Sequence, residues 1–329
     1  MKTKILYVLV STPKDIYLEQ AYVSISSLRH HCGKDVHIVV LMDTITESTL
    51  NHERNKMLGD VDEIISVELP IELSAQNRSR ILKTSARKHV KGDFLFIDCD
   101  TIITKPLDSI DDMTADIAAC YDSHCKFKDN PYREMCIDHC RKLGIDITGE
   151  EKYYNSGVIY VKDTPAAHDF YERWNKNWLK GREVGVNMDQ PAFNKTNIEL
   201  GYKIHTLGDV WNCEIIHGVR FLKDAKIVHY LCTNLTSGKG EEIFIMRDMS
   251  VLDDIKNARE IPLEVKECFE DPFKGIPPLT TLVSGKNNAI LRTSLYQYLS
   301  AHYNSKIFNM LDRFVKNMNK AKSKLVRKR

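Results

Sequence analysis

Gly92-Asp93-Phe94-Leu95-Phe96-Ile97-Asp98-Cys99-Asp100 reads as a short apolar strand that ends abruptly in two carboxylates one residue apart. Side chains of an extended segment repeat every two residues, so Asp98 and Asp100 leave the strand on the same side. In open α/β sheets, ligands bind beyond the carboxyl ends of the strands. Two hard oxygen donors in that place suit Mg²⁺ or Mn²⁺, whose octahedral shell is completed by substrate phosphates. A solvated turn bearing two acids is the bland alternative. The rest of the chain has to decide between them.

Working outward, further short apolar runs occur at Lys4 to Val10, Val36 to Met42, Glu63 to Val67 and Ile117 to Cys120. Helical spacing of apolar residues lies between them, over Leu18 to His31, Glu47 to Leu58 and Arg80 to Val90. Alternation of this kind predicts an α/β sheet, mixed but mostly parallel, with helices on both faces. A polar stretch rich in Cys, His, Lys and Asp follows Cys120 and reads as an insertion over a sheet end. Tyr153 to Val161 resumes as a strand, and Asp163 to Lys180 reads as a helix with Thr164 as N-cap and Pro165 in its first turn. The segments from Tyr202 to His229 are short and strand-like. Beyond residue 240 the chain turns into helices and loops punctuated by prolines. The expected division is a nucleotide-binding catalytic domain over 1–240 and a helical extension over 241–329.

The 329 residues include 47 Lys and Arg and 45 Asp and Glu, a net charge of +2 that conceals an asymmetry. From Lys306 to Arg329 there are nine basic residues against Asp312, a net +8; the first 305 residues hold 38 basic and 44 acidic residues, a net −6. A mildly acidic body argues against a duplex-binding protein and against nucleic acid as a partner. The basic end, with Leu295, Leu299, Ile307, Leu311, Phe314 and Val315 interspersed, fits peripheral contact with an anionic membrane. No window offers the roughly 20 apolar residues of a membrane-spanning helix, and Ile5 to Val10 is too short for a signal-peptide core. Nine cysteines with no C-x-x-C pair read as reduced thiols. The expected location is therefore the cytoplasm, with peripheral contact on the inner face of the cell membrane.

With three further stretches, the Asp98-Cys99-Asp100 segment resembles the D-x-D motif of glycosyltransferases of the GT-A fold, and specifically glycosyltransferase family 8. Tyr154-Asn155-Ser156-Gly157 is similar to the family's N-S/A-G strand. Met188-Asp189-Gln190-Pro191-Ala192-Phe193-Asn194 resembles its D-Q-x-x-x-N helix start, and Ile227-Val228-His229-Tyr230 the strand whose histidine completes the metal site. The four matches keep the family's order over about residues 1 to 235. The resemblance implies a retaining hexosyltransferase that uses a UDP-sugar, with glucose or galactose preferred, and Mn²⁺ (or Mg²⁺) as cofactor. The acceptor would be a growing cell-surface glycan or its lipid-linked precursor.

Carried over residue by residue, the resemblance implies Asp98, Asp100 and His229 as metal ligands. It implies Gln190 below the anomeric carbon with Asp189 beside it, and Asn155, Ser156, Gly157 and Cys99 bordering the donor. Lys83, then Arg80, would contact sugar or phosphate. Ser11, Thr12 and Tyr17 occupy the turn where relatives hold the base, with Tyr17 stacking and Asp15 accepting from the base, although the usual A-x-D-x-N-Y is absent. The Gly-x-x-Lys-Pro-Trp segment expected after the histidine is replaced by Tyr230 to Gly240, in which Lys239 is the candidate for the diphosphate.

Other readings stay open at this level. A solvated basic face accounts equally for Arg80, Lys83 and Arg87. Cys120, His124, Cys125, Cys136, His139 and Cys140 are dense enough to raise a zinc site, but their spacing departs from the usual C-x₂₋₄-C pairs. Trp174 and Trp178 read as helix packing, and Trp211-Asn212 as lining of the acceptor side. A sugar-phosphate nucleotidyltransferase is the rival enzyme, yet it calls for a glycine-rich loop after the first strand, and Leu9 to Ile16 holds no glycine. A membrane-recruited binding module with a degenerate site is the non-enzymatic alternative.

Overall fold

The computed structural model describes residues 1–231, 245–276, 278, 280, 283, 290–291 and 293–326. Strands are β1 (Lys4–Leu9), β2 (Ile38–Asp43), β3 (Glu63–Val67), β4 (Phe94–Ile97), β5 (Thr101–Ile103), β6 (Ile117–Tyr121), β7 (Tyr154–Val161), β8 (Ile204–Thr206), β9 (Cys213–Glu214) and β10 (Ile227–His229). Helices are α1 (Tyr17–Cys32), α2 (Thr44–Ser48), α3 (His52–Asn55), α4 (Ala75–Thr84), α5 (Ala86–His89), α6 (Arg133–Lys142), α7 (Pro165–Glu183), α8 (Gln190–Glu199), α9 (Met249–Ala258) and α10 (Leu263–Glu270), followed by Ser294–Ala301 and Lys306–Val326.

The main sheet runs in the order β3-β2-β1-β4-β7-β6-β8. Its pairs are parallel except where β7 lies antiparallel between β4 and β6. Strands alternate between two apolar layers, as a sheet covered on both faces requires. Leu95, Ile97, Val158 and Tyr160 pack with α1 residues Leu18, Ala21, Ile25 and Leu28 on one face. Phe94, Phe96, Ile159 and Val161 pack with Leu82, Ala86, Phe170, Trp174, Trp178 and Phe193 on the other. Trp174 and Trp178 are thus core residues, as the sequence predicts. Their indole N–H groups donate to the carbonyls of Asp189 and Asn187.

A second sheet, β5-β10-β9, begins immediately after Asp100. The break between β4 and β5 is what turns the two carboxylates out of the main sheet. Antiparallel pairing sets His229 opposite Thr101, and the Tyr230 N–H donates to the Asp100 carbonyl at 3.0 Å. Thr164 caps α7 by accepting from the Ala167 N–H, with Pro165 in the first turn, as predicted.

Two predicted helices are broken. Glu47 to Leu58 divides because Asn51 starts a new helix by accepting from the Arg54 N–H. Arg80 to Val90 divides at Ser85, and its first part starts at Ala75 behind the cap Ser74. Contacts group Met1–Thr236 with Glu242–Pro277 in one compact unit, and Ser237–Glu241 with Pro278–Arg329 in another. The predicted division at 240 differs from this grouping because α9 and α10 bury Leu252, Ile255, Val265 and Cys268 in a cluster with Val228 and Tyr230.

Candidate active site

Three chain segments meet at one end of the sheet. Asp98 follows β4, Asp122 follows β6, and the first residues of the antiparallel β7 lie between them. The Asp98 N–H donates to the Gly157 carbonyl at 2.8 Å, and the Asp122 N–H to the Tyr153 carbonyl at 2.9 Å. Asn155, Ser156 and Gly157 are therefore held between two carboxylate-bearing strand ends.

One donor atom from each of Asp98, Asp100 and His229 lies within 4.8 Å of the other two. His229 Nε2 stands 3.3 Å from Asp100 Oδ1 and 4.0 Å from Asp98 Oδ2. Burial works to lower the basicity of the imidazole, and Asp100 together with Asp98 more than offsets it, so the His229 pKa is raised. Burial pushes the Asp98 carboxyl up, with Lys83 pulling the other way. Two carboxylates and one imidazole are a donor set that Mn²⁺ accepts. The residues present fit the ion.

Lys83 and Arg80 rise from α4 toward this group. Lys83 Nζ lies 3.2 Å from Asp98 Oδ1 and 3.4 Å from Asp189 Oδ2, over the Phe96 ring. Arg80 Nε lies 2.9 Å from Asp189 Oδ1, without the alignment of a hydrogen bond. Burial raises the Asp189 carboxyl, but Arg80 and Lys83 prevail and hold it at about 2. A solvated basic face does not form: Lys83 and Arg87 are buried, and Arg80 is half-buried against Asp189. Arg87 serves the scaffold, donating to the carbonyls of Gly92 and Val90 beneath Phe94.

Gln190 opens α8. Its Nε2 donates to Asp122 Oδ1 at 3.0 Å, and its Oε1 accepts from the Ser156 N–H at 3.3 Å. Asn194, one turn on, exchanges two hydrogen bonds with the Tyr154 backbone, which explains why a D-Q-x-x-x-N pattern seats this helix against β7. Asp189 sits behind Gln190, buried between Ser156 Oγ and the two cations.

Some predicted site residues point elsewhere. Ser11 is fully buried, donating to Asp15 and accepting from Arg54. Thr12 is tied to the same carboxylate through its N–H and hydroxyl. Asp15 is thereby saturated inside the turn, which leaves it no acceptor for a base. The Cys99 thiol turns away from its neighbours to the Val8 carbonyl. Trp211 packs in the core under Lys226 rather than lining the site, because its strand-end neighbour Asn212 takes the inward place. Tyr17 remains near Arg80, to whose raised pKa it contributes after the carboxylates. Lys239 lies outside the described residues.

The zinc cluster does not assemble among the described residues. Cys136 and Cys140 are buried with Phe127 and Tyr153, whereas His124 hydrogen-bonds Asp209 and the Glu214 N–H. Sequence reasoning missed Asp122, although its place directly after an apolar strand repeats the signal that singled out Asp98. Three amides converge on its carboxylate, from Asn130, Asn155 and Gln190. The turn that presents it is constrained, with Ser123 and His124 both at positive φ and the Ser123 N–H held by the buried Glu214.

This arrangement is that of an enzyme of the nucleotide-sugar transferase class. The model of the nucleotide-diphospho-sugar transferase family matches residues 75–246, more than half of the chain, and the chain belongs to that family. No curated protein matches the sequence. Among solved structures, galactosyltransferase LgtC in complex with donor and acceptor sugar analogues is 14% identical with a TM-score of 0.52, over 80% of this chain and 99% of that one. The WbbM bifunctional glycosyltransferase is 15% identical with a TM-score of 0.51 over 82% of this chain, which spans about half, 52%, of WbbM. Mouse xyloside xylosyltransferase 1 is 14% identical over 70% of this chain and 98% of that one, with a TM-score of 0.49. At these identities the likeness to LgtC and WbbM establishes the fold, which, with the family match, is the GT-A fold in its family 8-like form.

Proposed function

We propose that the protein transfers a hexose, glucose or galactose, from a UDP-sugar to an acceptor hydroxyl with retention of configuration. The observation that carries the reading is the meeting of Asp98, Asp100 and His229 at the carboxyl end of β4, with Lys83 alongside and Gln190 across β7. Asp98, Asp100 and His229 would hold Mn²⁺ or Mg²⁺. When bound, the ion supplies Lewis-acid stabilisation of charge on the departing diphosphate.

The chain's own residues do the rest. Lys83 and Arg80 place fixed positive charge where the diphosphate oxygens collect, an electrostatic contribution that needs no reorganisation. Gln190 Oε1, oriented by Asp122 and Ser156, sits below the anomeric carbon. The C1 bond to the diphosphate oxygen breaks while the acceptor oxygen bonds C1 on the same face, and the acceptor proton passes to the departing diphosphate oxygen. No carboxylate pair of the glycosidase kind is required.

A lipid-linked or cell-surface glycan as acceptor is supported by the basic end. Along Lys306–Val326 the exposed residues Ile307, Met310, Leu311, Phe314, Val315 and Met318 share one helical face, and Lys306, Arg313 and Lys316 fall on the other side of the helix. Apolar and basic residues combined in this way match an anionic lipid surface. Among the described residues no helix is long and apolar enough to cross a membrane. The basic residues Arg327, Lys328 and Arg329 lie outside the described residues.

Hydrolysis of UDP-glucose, UDP-galactose and their N-acetyl counterparts, with and without Mn²⁺, tests the reading. One of them should turn over slowly in a Mn²⁺-dependent way, and Gln190→Ala should lower kcat. Turnover of none, or an unchanged kcat in Gln190→Ala, would refute the respective assignment.

A further inference from the structure

His229 Nδ1 lies 2.9 Å from Asn212 Oδ1, Asn212 Nδ2 lies 3.0 Å from Asn155 Oδ1, and Asn155 Nδ2 lies 3.1 Å from Asp122 Oδ1. His229, Asn212 and Asn155 are all buried. The direction of each bond in this chain follows from one fixed donor. The Gly157 backbone N–H, which can only donate, points at Asn155 at 2.7 Å. The Asn155 atom there must therefore be its oxygen, and its NH₂ faces the Asp122 carboxylate, which only accepts when ionised. The same oxygen receives the Asn212 NH₂. Asn212 must then turn its own oxygen toward His229, and that oxygen can only accept. The proton of His229 belongs on Nδ1, and Nε2 is left as the nitrogen facing Asp98 and Asp100.

We infer that Asn212 is a positioning residue that fixes the tautomer and ring orientation of His229, so that Nε2 presents its lone pair to a divalent cation held with Asp98 and Asp100. This rests on the proposed metal site and adds to it a residue that touches neither metal nor substrate. Asn155 and the Gly157 N–H carry the directional information inward, and Asp122 closes the chain while also orienting Gln190. One buried hydrogen-bonded chain therefore sets both the histidine and the glutamine. Without the Asn212 oxygen, the imidazole gains most by placing its proton on Nε2, against Asp100, where it blocks the cation. Second-shell partners of this kind typically change metal affinity 10- to 100-fold.

Titration of the full-length protein with Mn²⁺ alone, read by electron paramagnetic resonance without any sugar nucleotide, provides the test. Asn212→Leu, close in volume but with no acceptor, should weaken Mn²⁺ binding by about 10- to 100-fold. Asn212→Asp, which keeps an acceptor for Nδ1, should stay several-fold closer to wild type. Nitrogen-15 NMR of the wild-type protein loaded with diamagnetic Zn²⁺ should show the His229 proton on Nδ1. Wild-type affinity in Asn212→Leu, equal losses in the Leu and Asp variants, or a bare Nδ1 would each overturn the inference. Asp100→Asn separates the two levels. If it binds Mn²⁺ as wild type does, or wild type binds none, the metal site itself fails and the inference with it.

Discussion

Arg80 and Asp189 form an ion pair across α4 and the start of α8, 2.9 Å between Nε and Oδ1, with the carboxylate almost wholly buried. Lys83 approaches the same carboxylate from the other side at 3.4 Å. One buried anion thus compensates two cations at the site, and this arrangement has a consequence for stability. Because the folded pKa of Asp189 is depressed to about 2, its contribution is complete above the unfolded carboxylate value near 4 and is lost as pH falls toward 2. Asp189→Asn should destabilise the fold at neutral pH by roughly 2 kcal/mol, since it removes the anion that Arg80 and Lys83 share. Urea denaturation at pH 7 and pH 3 measures this. The gap between variant and wild type should narrow at the lower pH.

Lys83 stands 3.2 Å from Asp98, so it repels any cation placed there even as it attracts a diphosphate. In Lys83→Met, Mn²⁺ alone should bind more tightly, by several-fold, while hydrolysis of the sugar nucleotide falls on the order of 10²-fold. Equal movement of both quantities in the same direction would remove Lys83 from the diphosphate.

Gly157 lies against the histidine. A Cβ added there would approach His229 Nδ1 at 2.8 Å and Asn155 Oδ1 at 2.9 Å, closer than real contacts allow. Gly157→Ala should cost about 1–3 kcal/mol in denaturant unfolding, as overpacking does, and weaken Mn²⁺ binding in the same protein. Unchanged Mn²⁺ affinity would mean that His229 tolerates displacement.

The basic end has its own readout. Removing residues 316–329 deletes seven of the nine basic residues beyond 305. At about 1 kcal/mol for each basic residue near an anionic surface, sedimentation with anionic vesicles should be abolished, with hydrolysis of the sugar nucleotide retained. Vesicle binding by the wild type should weaken with added salt. Full binding by the shortened chain would place the contact elsewhere.

Local signals carried much of the fold. β3 and β4 begin and end where the apolar runs do, and Thr164 with Pro165 starts α7 because capping is decided within four residues. What was not legible depended on partners far along the chain. Ser11 turns inward because Arg54 and Thr46 are there to meet it, and Cys99 because the Val8 carbonyl lies behind it. Asp98, Asp100, Gln190 and His229 stand out as chemistry-bearing types at strand and helix ends. Their closeness, however, needs β5 to pair with β10 across more than a hundred residues. Asp122 and Asn212 escaped as positioning groups because the direction of a hydrogen-bond chain exists only once its members are in contact.

Thermal unfolding with UDP and Mn²⁺, together and separately, tests the central claim of a metal-dependent nucleotide-sugar site most directly. The wild type should gain several degrees with UDP and Mn²⁺ together, more than the sum of the separate shifts, and Asp100→Asn should lose that excess. An equal UDP shift in Mn²⁺ and in EDTA, or an undiminished excess in Asp100→Asn, would contradict the account.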